Sequence, residues 1–412
     1  MQETFLNEFQ KRGYFNQCTD QSALSELMSK SKIKAYIGFD CTAPSLHVGS
    51  LMQIMCLRLL QKYGHQPIVL LGGGTTLIGD PSGKEETRKI LDKKEIDKNI
   101  KSIENVFKIF LKSKSSKTKP IFVNNYSWLS KLNYINFLRE IGKHFTINKM
   151  LTFDSVKLRL EREQSLSYME FNYMMLQAFD FYELNKRHKC ILQIGGSDQW
   201  GNIVNGTDLI KRKNKKQAFG LTTPLITLSS GAKMGKTEKG AIWLNRKMLT
   251  PYNYWQFWRN TDDKDVVNFL KLFTDLDLEK IENLKNNNEI NELKILLANE
   301  TTTMLHGTKA AKDSESTAKK TFGDKSIGKD LPIVKIKKSF ISNGVNVLDI
   351  VLQSKLANSK GEVRRMIKNN GLKINNELVT DESKIIDQNN FDNENNMKVS
   401  HGKKQHVIVK IV

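Results

Sequence analysis

The sequence predicts an α/β fold in which helices cover both faces of a parallel sheet. Short apolar runs of strand length alternate with longer segments whose apolar residues recur at helical spacing. Turns that contain glycine follow three of these runs, and ligands in such sheets bind beyond the carboxyl ends of the strands. We therefore expect a doubly wound parallel sheet with one ligand-binding crevice.

The charge of the chain favours a polyanionic partner. Its 412 residues, enough for two or three domains, include 65 Lys and Arg against 44 Asp and Glu, so the net charge is +21. Phosphate contacts and counterion release make nucleic acid the first candidate. Lysine and asparagine are abundant throughout the chain, however, so part of this charge reflects composition and has no binding role.

Cysteine spacing and hydropathy indicate a cytoplasmic protein. The four cysteines stand singly, with neither paired metal-ligand spacing nor the density of a disulfide scaffold. No apolar run approaches the ~18 residues of a membrane span, and the N-terminal segment lacks an apolar signal core. We expect a soluble protein with no membrane partner and no protein-bound metal. An organellar protein whose transit peptide has been removed would look the same.

The first elements of the chain lead to one turn of the crevice. Residues 1–33 predict two short amphipathic helices, the second capped by Asp20. A buried strand follows over 35–39. After Pro44 the chain predicts a helix over 51–63, which a glycine ends. The order is strand, turn and helix.

The next predicted strands complete the sheet. A strand over 67–71 runs into a Gly-rich turn, and a basic helix over 93–112 leads to a third strand over 120–123. A strand over 190–194 and a helix that ends in a basic run come next. We expect the final strand of the core over 224–228.

One predicted helix carries a polar face in apolar surroundings. Ser167 and Glu170 form a capping box at its start. Tyr173, Gln177 and Asp180 then fall at i, i+4 and i+7, on one side of the helix. An ordinary solvent-facing stripe is the alternative interpretation.

Beyond residue 242 the pattern changes. Thr250 and Pro251 suit the N-cap and first turn of a helix, and helices continue to about residue 312. Residues 313–332 are rich in Lys, Ser, Gly and Asp, as linkers are. A small α/β module with a basic helix over 363–370 completes the chain.

Two separated stretches carry the strongest functional signal. Pro44-Ser-Leu-His-Val-Gly-Ser50 lies where a strand hands over to a helix, so His47 and free backbone N–H groups can face a phosphate. Lys233-Met-Gly-Lys-Thr237 is a basic loop that can close over a polyphosphate, although alone it is more often a solvated surface loop. Together the stretches resemble the HIGH and KMSKS signatures of class I aminoacyl-tRNA synthetases.

Further motifs narrow this resemblance to tyrosyl-tRNA synthetases of the bacterial type. The resemblance covers essentially the whole chain, and the last module is similar to the RNA-binding domain named after a ribosomal small-subunit protein. The motifs are Tyr36-Ile-Gly-Phe-Asp40, Gly79-Asp80-Pro-Ser-Gly-Lys84, Tyr173-Met-Met-Leu-Gln177-Ala-Phe-Asp180 and Gln193-Ile-Gly-Gly-Ser-Asp-Gln-Trp-Gly-Asn202.

The resemblance implies a domain organisation. It places a Rossmann-like catalytic domain over 1–245 and an α-helical anticodon-side domain over 246–325. A linker over 326–344 would then lead to a small RNA-binding module over 345–412.

It also implies the substrates and the reaction. The carboxylate of L-tyrosine would attack the α-phosphorus of ATP, which enters as its Mg²⁺ complex, and tyrosyl-adenylate and diphosphate would form. The tyrosyl group would then pass to the 3′-terminal adenosine of tRNA(Tyr). No protein nucleophile is required, because positioning and cations that meet charge on the leaving diphosphate supply the catalysis. A homodimer is implied as well, and we expect helices near residues 124–165 to form it through Trp128 and Phe137.

The site residues are carried over from the matched motifs. Tyr36 and Asp180 would hold the substrate phenol. The ammonium group and the rest of the tyrosine would meet Asp80, Tyr173, Gln177 and Gln193. The phosphates would meet Thr42, His47, Lys84, Arg88, Lys233, Lys236 and Thr237. The nucleotide and the tyrosine carboxyl group would lie along Gly38, Asp40, Gly49, Ser50, Asp198 and Gln199.

The chain departs from the family's signatures at two positions. The HIGH motif commonly ends in histidine, whereas this chain has Ser50, a smaller group that can still reach a ribose hydroxyl. Gly235 stands where KMSKS has its first serine, and we expect it to make the loop more mobile. We expect the function to survive both changes.

Three other interpretations are open. A tryptophanyl-tRNA synthetase shares the fold, but Tyr36 paired with Asp180 favours a phenol over an indole. An RNA-binding protein that has lost catalysis would have no reason to keep His47, Lys233 and Lys236. A small-molecule nucleotidyltransferase would not need the basic last module.

Overall fold

The computed structural model describes most of the chain. The described residues are 3–80, 91–229, 231, 234–237, 240–323, 331–342, 344–392, 394–402 and 405–412. They group into two compact units. The first comprises Met1–Leu249 with Asn260–Leu297, and the second comprises Thr250–Arg259 with Ala298–Val412.

Helices and strands alternate along the first unit, as predicted. The helices up to residue 323, in chain order, are α1 Phe5–Lys11, α2 Gln21–Lys30, α3 Leu51–Lys62, α4 Thr75–Ile78, α5 Lys93–Phe110, α6 Tyr126–Leu129, α7 Tyr134–Glu140, α8 Ile147–Met150, α9 Asp154–Glu161, α10 Tyr168–Phe171, α11 Tyr173–His188, α12 Trp200–Asn214, α13 Pro251–Arg259, α14 Val266–Phe273, α15 Leu278–Asn287, α16 Ile290–His306 and α17 Thr308–Gly323. Of these, α13, the second half of α16 and α17 belong to the second unit. The strands of the first unit are β1 Gln17–Cys18, β2 Lys34–Phe39, β3 Gln66–Leu71, β4 Ile121–Asn124, β5 Cys190–Gly196, β6 Phe219–Thr223, β7 Lys236–Thr237 and β8 Gly240–Ala241.

The central sheet confirms the predicted fold class. Its six strands lie in the order β1-β6-β5-β2-β3-β4. All neighbours are parallel except β1, which pairs antiparallel with β6 at one edge. Chain order therefore reverses between β2 and β5, and the carboxyl ends of both strands open at the same place. This is where a doubly wound sheet forms its crevice.

The predicted final strand was wrong. It was expected over 224–228, but β6 ends at Thr223. Pro224 has no N–H to donate to a neighbouring strand, so the ladder stops before it. The true strand, β6, contains Gly220, which interrupts the apolar pattern expected of a buried strand. A glycine is required there, because an added Cβ would lie 2.3 Å from Ile203 Cγ2 on α12.

The second unit contains a small mixed sheet that shares its core with two helices. Its five strands lie in the order β12-β11-β14-β15-β9, and β9 pairs parallel with β15. Two helices, α18 Val347–Gln353 and α19 Lys360–Lys368, share a buried apolar core with this sheet. The strands of this unit are β9 Ile333–Ile336, β10 Val345–Asn346, β11 Leu372–Ile374, β12 Glu377–Leu378, β13 Ile385–Ile386, β14 Asn396–His401 and β15 Gln405–Ile411.

Parts of the segment expected to be a linker form a helix and a strand. Helix α17 continues to Gly323. Its alanine, lysine and glutamate residues are strong helix formers, and they outweigh the serine and threonine residues between them. Strand β9 lies inside the predicted linker over 326–344 and completes the sheet of the last module. The other domain boundaries stay predictions.

Two residues assigned to a dimer surface are buried within the chain. Trp128 and Phe137 are 4% and 8% exposed and belong to the core beside α11. Large apolar side chains on the same segment are exposed instead: Tyr134, Ile135, Ile147, Leu151, Leu158, Leu160, Tyr168 and Met169. None of the helices in the described part of the chain is long and apolar enough to cross a membrane.

Candidate active site

Buried polar side chains of β2, β5 and α11 form a candidate site, called the pocket below, where β2 and β5 run side by side. Tyr36 on β2 and Gln193 on β5 are directly paired across the sheet. Tyr36 is completely buried, and its hydroxyl has no hydrogen-bond partner within the described structure. The Oε1 atoms of Gln177 and Gln193 are likewise buried and unbonded. Because buried polar atoms normally have partners, these three point to a ligand that supplies them.

A carboxylate faces this pocket from α11. Asp180 is 1% exposed and accepts hydrogen bonds from Asn125 Nδ2 at 2.8 Å and from Trp128 Nε1 at 2.7 Å. Burial raises the pKa of Asp180 to about 7, although both donors favour its charged form. Burial, and then the nearby Asp180, also raise the pKa of Tyr36 well above its usual value. The predicted phenol-binding pair is therefore brought together.

Sequence reasoning missed Asn125 and Trp128. Asn125 directly follows β4, at the same edge of the sheet as the other crevice turns, and that placement could have identified it. Its Oδ1 also accepts from the N–H of Gly74 at 2.7 Å. Trp128 gave no comparable signal, because an indole N–H in a short helix has no characteristic sequence context.

A second set of hydrogen-bonded side chains connects α11 to residues that follow the strands. Tyr173 Oη donates to Asp40 Oδ1 at 3.3 Å, and Thr75 Oγ1 lies at the same distance from that oxygen. Asn125 Nδ2 donates to Thr75 Oγ1 at 3.0 Å. Residues expected to bind the tyrosine and the nucleotide thus share one network, which fixes the position of the Tyr173 hydroxyl.

The turn after β5 brings a third set of predicted residues together. Gln199 Nε2 donates to Asp80 Oδ2 at 2.9 Å and to Asp198 Oδ2 at 3.3 Å. Asn202 Nδ2 in turn donates to Gln199 Oε1 at 3.1 Å. Asp80 is nearly buried and Asp198 is exposed, so Gln199 joins two carboxylates that can attract an ammonium group or accept from a ribose hydroxyl.

The two signature stretches lie against each other. His47 Nδ1 accepts from the N–H of Gly49 at 3.0 Å and so caps the 3₁₀ turn Val48–Ser50, which runs directly into α3. A Cβ added to Gly235 would lie 2.7 Å from the Gly49 nitrogen and 2.9 Å from His47 Nδ1. Gly235 has a φ of +88°, a conformation that glycine alone adopts easily.

Backbone hydrogen bonds fasten this arrangement. The N–H of Val48 donates to the Ile242 carbonyl at 2.9 Å, and the N–H of Ile242 donates to the Gly235 carbonyl at 3.1 Å. Lys236 and Thr237 form β7, whose backbone pairs with β8. Gly235 therefore allows a close fit between the stretches, a consequence that the sequence did not suggest.

The other predicted residues fall into two groups. Gly38 is exposed within the central strand β2, Thr42 is exposed, and Ser50 is partly buried ahead of α3. Lys84, Arg88 and Lys233 lie outside the described residues. Across the described ranges, no group of three or more His, Cys, Asp and Glu side chains is arranged to hold a metal ion.

Comparison with known proteins decides the family. The family model described as tRNA synthetases class I (W and Y) matches residues 28–323. The chain belongs to this family. A second model, described as a Tyrosine--tRNA ligase SYY-like C-terminal domain, matches residues 324–409 of this class I synthetase.

Relatives that match the whole chain and a solved structure agree with this family assignment. A Tyrosine--tRNA ligase of Pelagibacter ubique (strain HTCC1062) is 64% identical over 408 residues, 99% of each chain. One of Zymomonas mobilis subsp. mobilis (strain ATCC 31821 / ZM4 / CP4) is 54% identical over 98% of each chain. The C-terminally truncated mitochondrial tyrosyl-tRNA synthetase of Aspergillus nidulans superposes with a TM-score of 0.70 at 28% identity, covering 78% of this synthetase and 95% of that chain.

Proposed function

We propose that the chain is a tyrosine–tRNA ligase. It activates L-tyrosine with ATP to tyrosyl-adenylate and transfers the tyrosyl group to tRNA(Tyr), with release of AMP and diphosphate. The observation that carries the proposal is the unpartnered Tyr36 hydroxyl beside the buried Asp180 carboxylate. The family and its whole-chain relatives agree with this activity.

The chemistry of the pocket favours a phenol. A phenol hydroxyl donates to Asp180 while it accepts from Tyr36, so both groups are satisfied. An indole N–H can donate to Asp180 but cannot accept, so the Tyr36 hydroxyl would have no acceptor on the ligand. A phenyl ring offers neither, and a site built around a hydroxyl rejects such analogues strongly, by about 10⁴–10⁵. That range was established on this family and is not deduced from the present pocket.

We infer that adenylate formation proceeds by positioning. Asp80, Tyr173 and Gln177 orient the ammonium group, so that the tyrosine carboxylate meets the α-phosphorus of the Mg²⁺ complex of ATP. The turn at His47 and the loop at Gly235 lie together at the N-terminal end of α3, where N–H groups and the helix dipole favour phosphate. Lysines of the loop would meet charge on the leaving diphosphate.

The deciding experiment is diphosphate exchange into ATP across the amino acids. We expect exchange with tyrosine, and none above background with phenylalanine or tryptophan. Exchange with tryptophan and not tyrosine would make the chain a tryptophanyl enzyme. No exchange with any amino acid would favour a non-catalytic RNA-binding protein.

We assign tRNA binding in part to the last module. Helix α19 carries Arg364, Arg365 and Lys368 on an exposed side. The combined change of these three residues to alanine should weaken tRNA charging and reduce its salt dependence, because phosphate contacts release counterions. Exchange with tyrosine should stay unchanged.

We also propose a cytoplasmic homodimer. The exposed apolar side chains on α7 to α10 exceed what isolated surface residues require, and Tyr134 and Tyr168 lie together with their hydroxyl oxygens 2.9 Å apart. Sedimentation of the wild type and of the double variant that combines Ile135→Asp and Leu158→Asp tests this surface. A dimer that persists in the variant would place the interface elsewhere.

A further inference from the structure

Helix α9 lies between an exposed apolar surface and the candidate site. Leu158 and Leu160 are 45% and 50% exposed, whereas Arg159 between them is buried. Phe153, at the start of the helix, packs on the first turn of α12, where a Cβ added to Gly201 would lie 2.5 Å from Phe153 Cδ1. That turn directly follows Gln199. One end of α9 therefore touches the segment that holds the Asp80–Gln199 hydrogen bond.

The other end of α9 is fixed to α10 by a buried ion pair. Arg159 Nη1 lies 3.2 Å from Glu170 Oε1, and both side chains are 5% exposed. Arg159 Nη2 also donates to the Ser165 carbonyl. Glu170 Oε2 accepts from the N–H and the hydroxyl of Ser167, at 3.1 and 3.0 Å, which closes the capping box. A single carboxylate thus serves both as cap and as anchor to α9.

The anchored turn leads straight into the helix that carries the site. Asn172 links α10 to α11 in helical conformation, donating to the Tyr168 carbonyl at 3.1 Å and accepting from Met175 at 3.0 Å. Tyr173 and Gln177 lie in the first turns after it. Asp180 is further along and is held separately by Asn125 and Trp128. A displacement of α10 therefore moves Tyr173 and Gln177 before it moves Asp180.

We propose that Arg159 and Glu170 are positioning residues for the ammonium side of the tyrosine site. The inference rests on the proposed function. Neither side chain touches the substrate. They act through Tyr173 and Gln177, and they make the geometry of the site depend on α9 and on whatever covers Leu158 and Leu160. Because removing one member of a buried pair leaves an uncompensated charge, the site should respond to single substitutions at either position.

Tyrosine-dependent diphosphate exchange tests the proposal with Arg159→Met and Glu170→Gln. Glutamine keeps an oxygen for the Ser167 cap, but it loses the charge and turns an NH2 group toward Arg159 in place of the accepting oxygen. We expect KM for tyrosine to rise about tenfold or more in each variant, because small misplacements of binding groups are costly. KM for ATP should stay at the wild-type value. Arg159→Lys, which keeps the charge without the planar fork, should give an intermediate value.

Lys157→Met is the matched control on the same helix. Lys157 is exposed and lies 3.7 Å from Glu161, so its loss removes a charge without touching α10. Its KM for tyrosine should equal the wild-type value. The wild-type chain in the same assay reports on the proposed function itself, so a failure of that function is visible separately.

Two competitive inhibitors separate positioning from general loosening. Tyramine keeps the phenol and the ammonium group but lacks the carboxylate, and desaminotyrosine keeps the phenol and the carboxylate but lacks the ammonium group. Inhibition by tyramine should weaken in parallel with KM for tyrosine, and inhibition by desaminotyrosine should not change. Equal losses for both inhibitors, equal rises in KM for tyrosine and ATP, or an unchanged KM in a folded variant would each overturn the proposal. If Arg159→Met does not fold, Glu170→Gln decides by the same criteria.

Discussion

The tyrosine pocket and the signature turns are built by opposite means. The pocket consists of the buried side chains of Tyr36, Asp180, Asn125 and Trp128. Asn125 and Trp128 donate to Asp180, and the Tyr36 hydroxyl is left for a ligand. The turns around His47 and Gly235 are fitted together by glycines and backbone N–H groups. A pocket of this kind can discriminate between side chains, whereas a backbone surface suits phosphate, which every ATP presents alike.

Asp180→Asn should produce the largest effect and acts on the pocket alone. Asparagine loses the charge and also sets an NH2 group against one of the two donors, so kcat/KM for tyrosine should fall by about 10³ or more, while KM for ATP stays the same. Diphosphate exchange measures both values. Lys186→Met on the same helix is the control, because the Lys186 side chain is exposed. A drop in ATP affinity with Asp180→Asn would remove the distinction between the two regions.

Gly235→Ala should act on the turns alone. The added Cβ would meet the Gly49 nitrogen and His47 Nδ1, so the stretches must separate, and we expect kcat for adenylate formation to fall about tenfold or more with tyrosine affinity intact. Gly231→Ala is a close control, since Gly231 has a φ of +80° with nothing within 4 Å of its added Cβ. Equal effects at both glycines would mean that backbone strain, and not the contact, matters.

Trp128→Phe should give a smaller loss in the pocket. The phenyl ring removes one donor to Asp180 and leaves Asn125 in place, which costs about 1.4 kcal/mol, or roughly tenfold in Kd for tyrosine. Isothermal titration with tyrosine measures the change. Arg187 lies over the Trp128 ring at 5.4 Å, so Arg187→Met shows how much of the loss comes from that contact instead.

The pH dependence of stability should be the smallest signal. Burial raises the pKa of Asp180 from its ordinary 3.8 to about 7, so between these values the folded chain binds a proton that the unfolded chain releases. The contribution of Asp180 is complete below pH 3.8 and is lost as the pH rises through 7, at no more than about 1.4 kcal/mol per pH unit. Thermal unfolding of the wild type and Asp180→Asn at pH 5.5 and 7.5 tests the sign. The difference in Tm between the two pH values should be smaller in the variant.

Sequence reasoning located the crevice because strands, capping residues and motifs are local patterns. The box at Ser167 and Glu170 and the spacing of Tyr173 and Asp180 needed no tertiary information. It failed at Gly220, where close packing against Ile203 replaced the apolar signal of a strand. It also misplaced Trp128, because whether an aromatic ring faces the core or a partner depends on contacts made by distant residues.

The antiparallel edge strand β1 has a consequence for synthesis of the chain. Gln17 and Cys18 pair with Thr222 and Leu221, and the Gln17 carbonyl accepts from a hydroxyl 205 residues later. At about 5–20 residues per second, a ribosome needs tens of seconds to deliver that partner. Strand β1 is therefore synthesised first but cannot pair until β6 has been made. The sheet gains this edge only after more than half of the polypeptide has emerged.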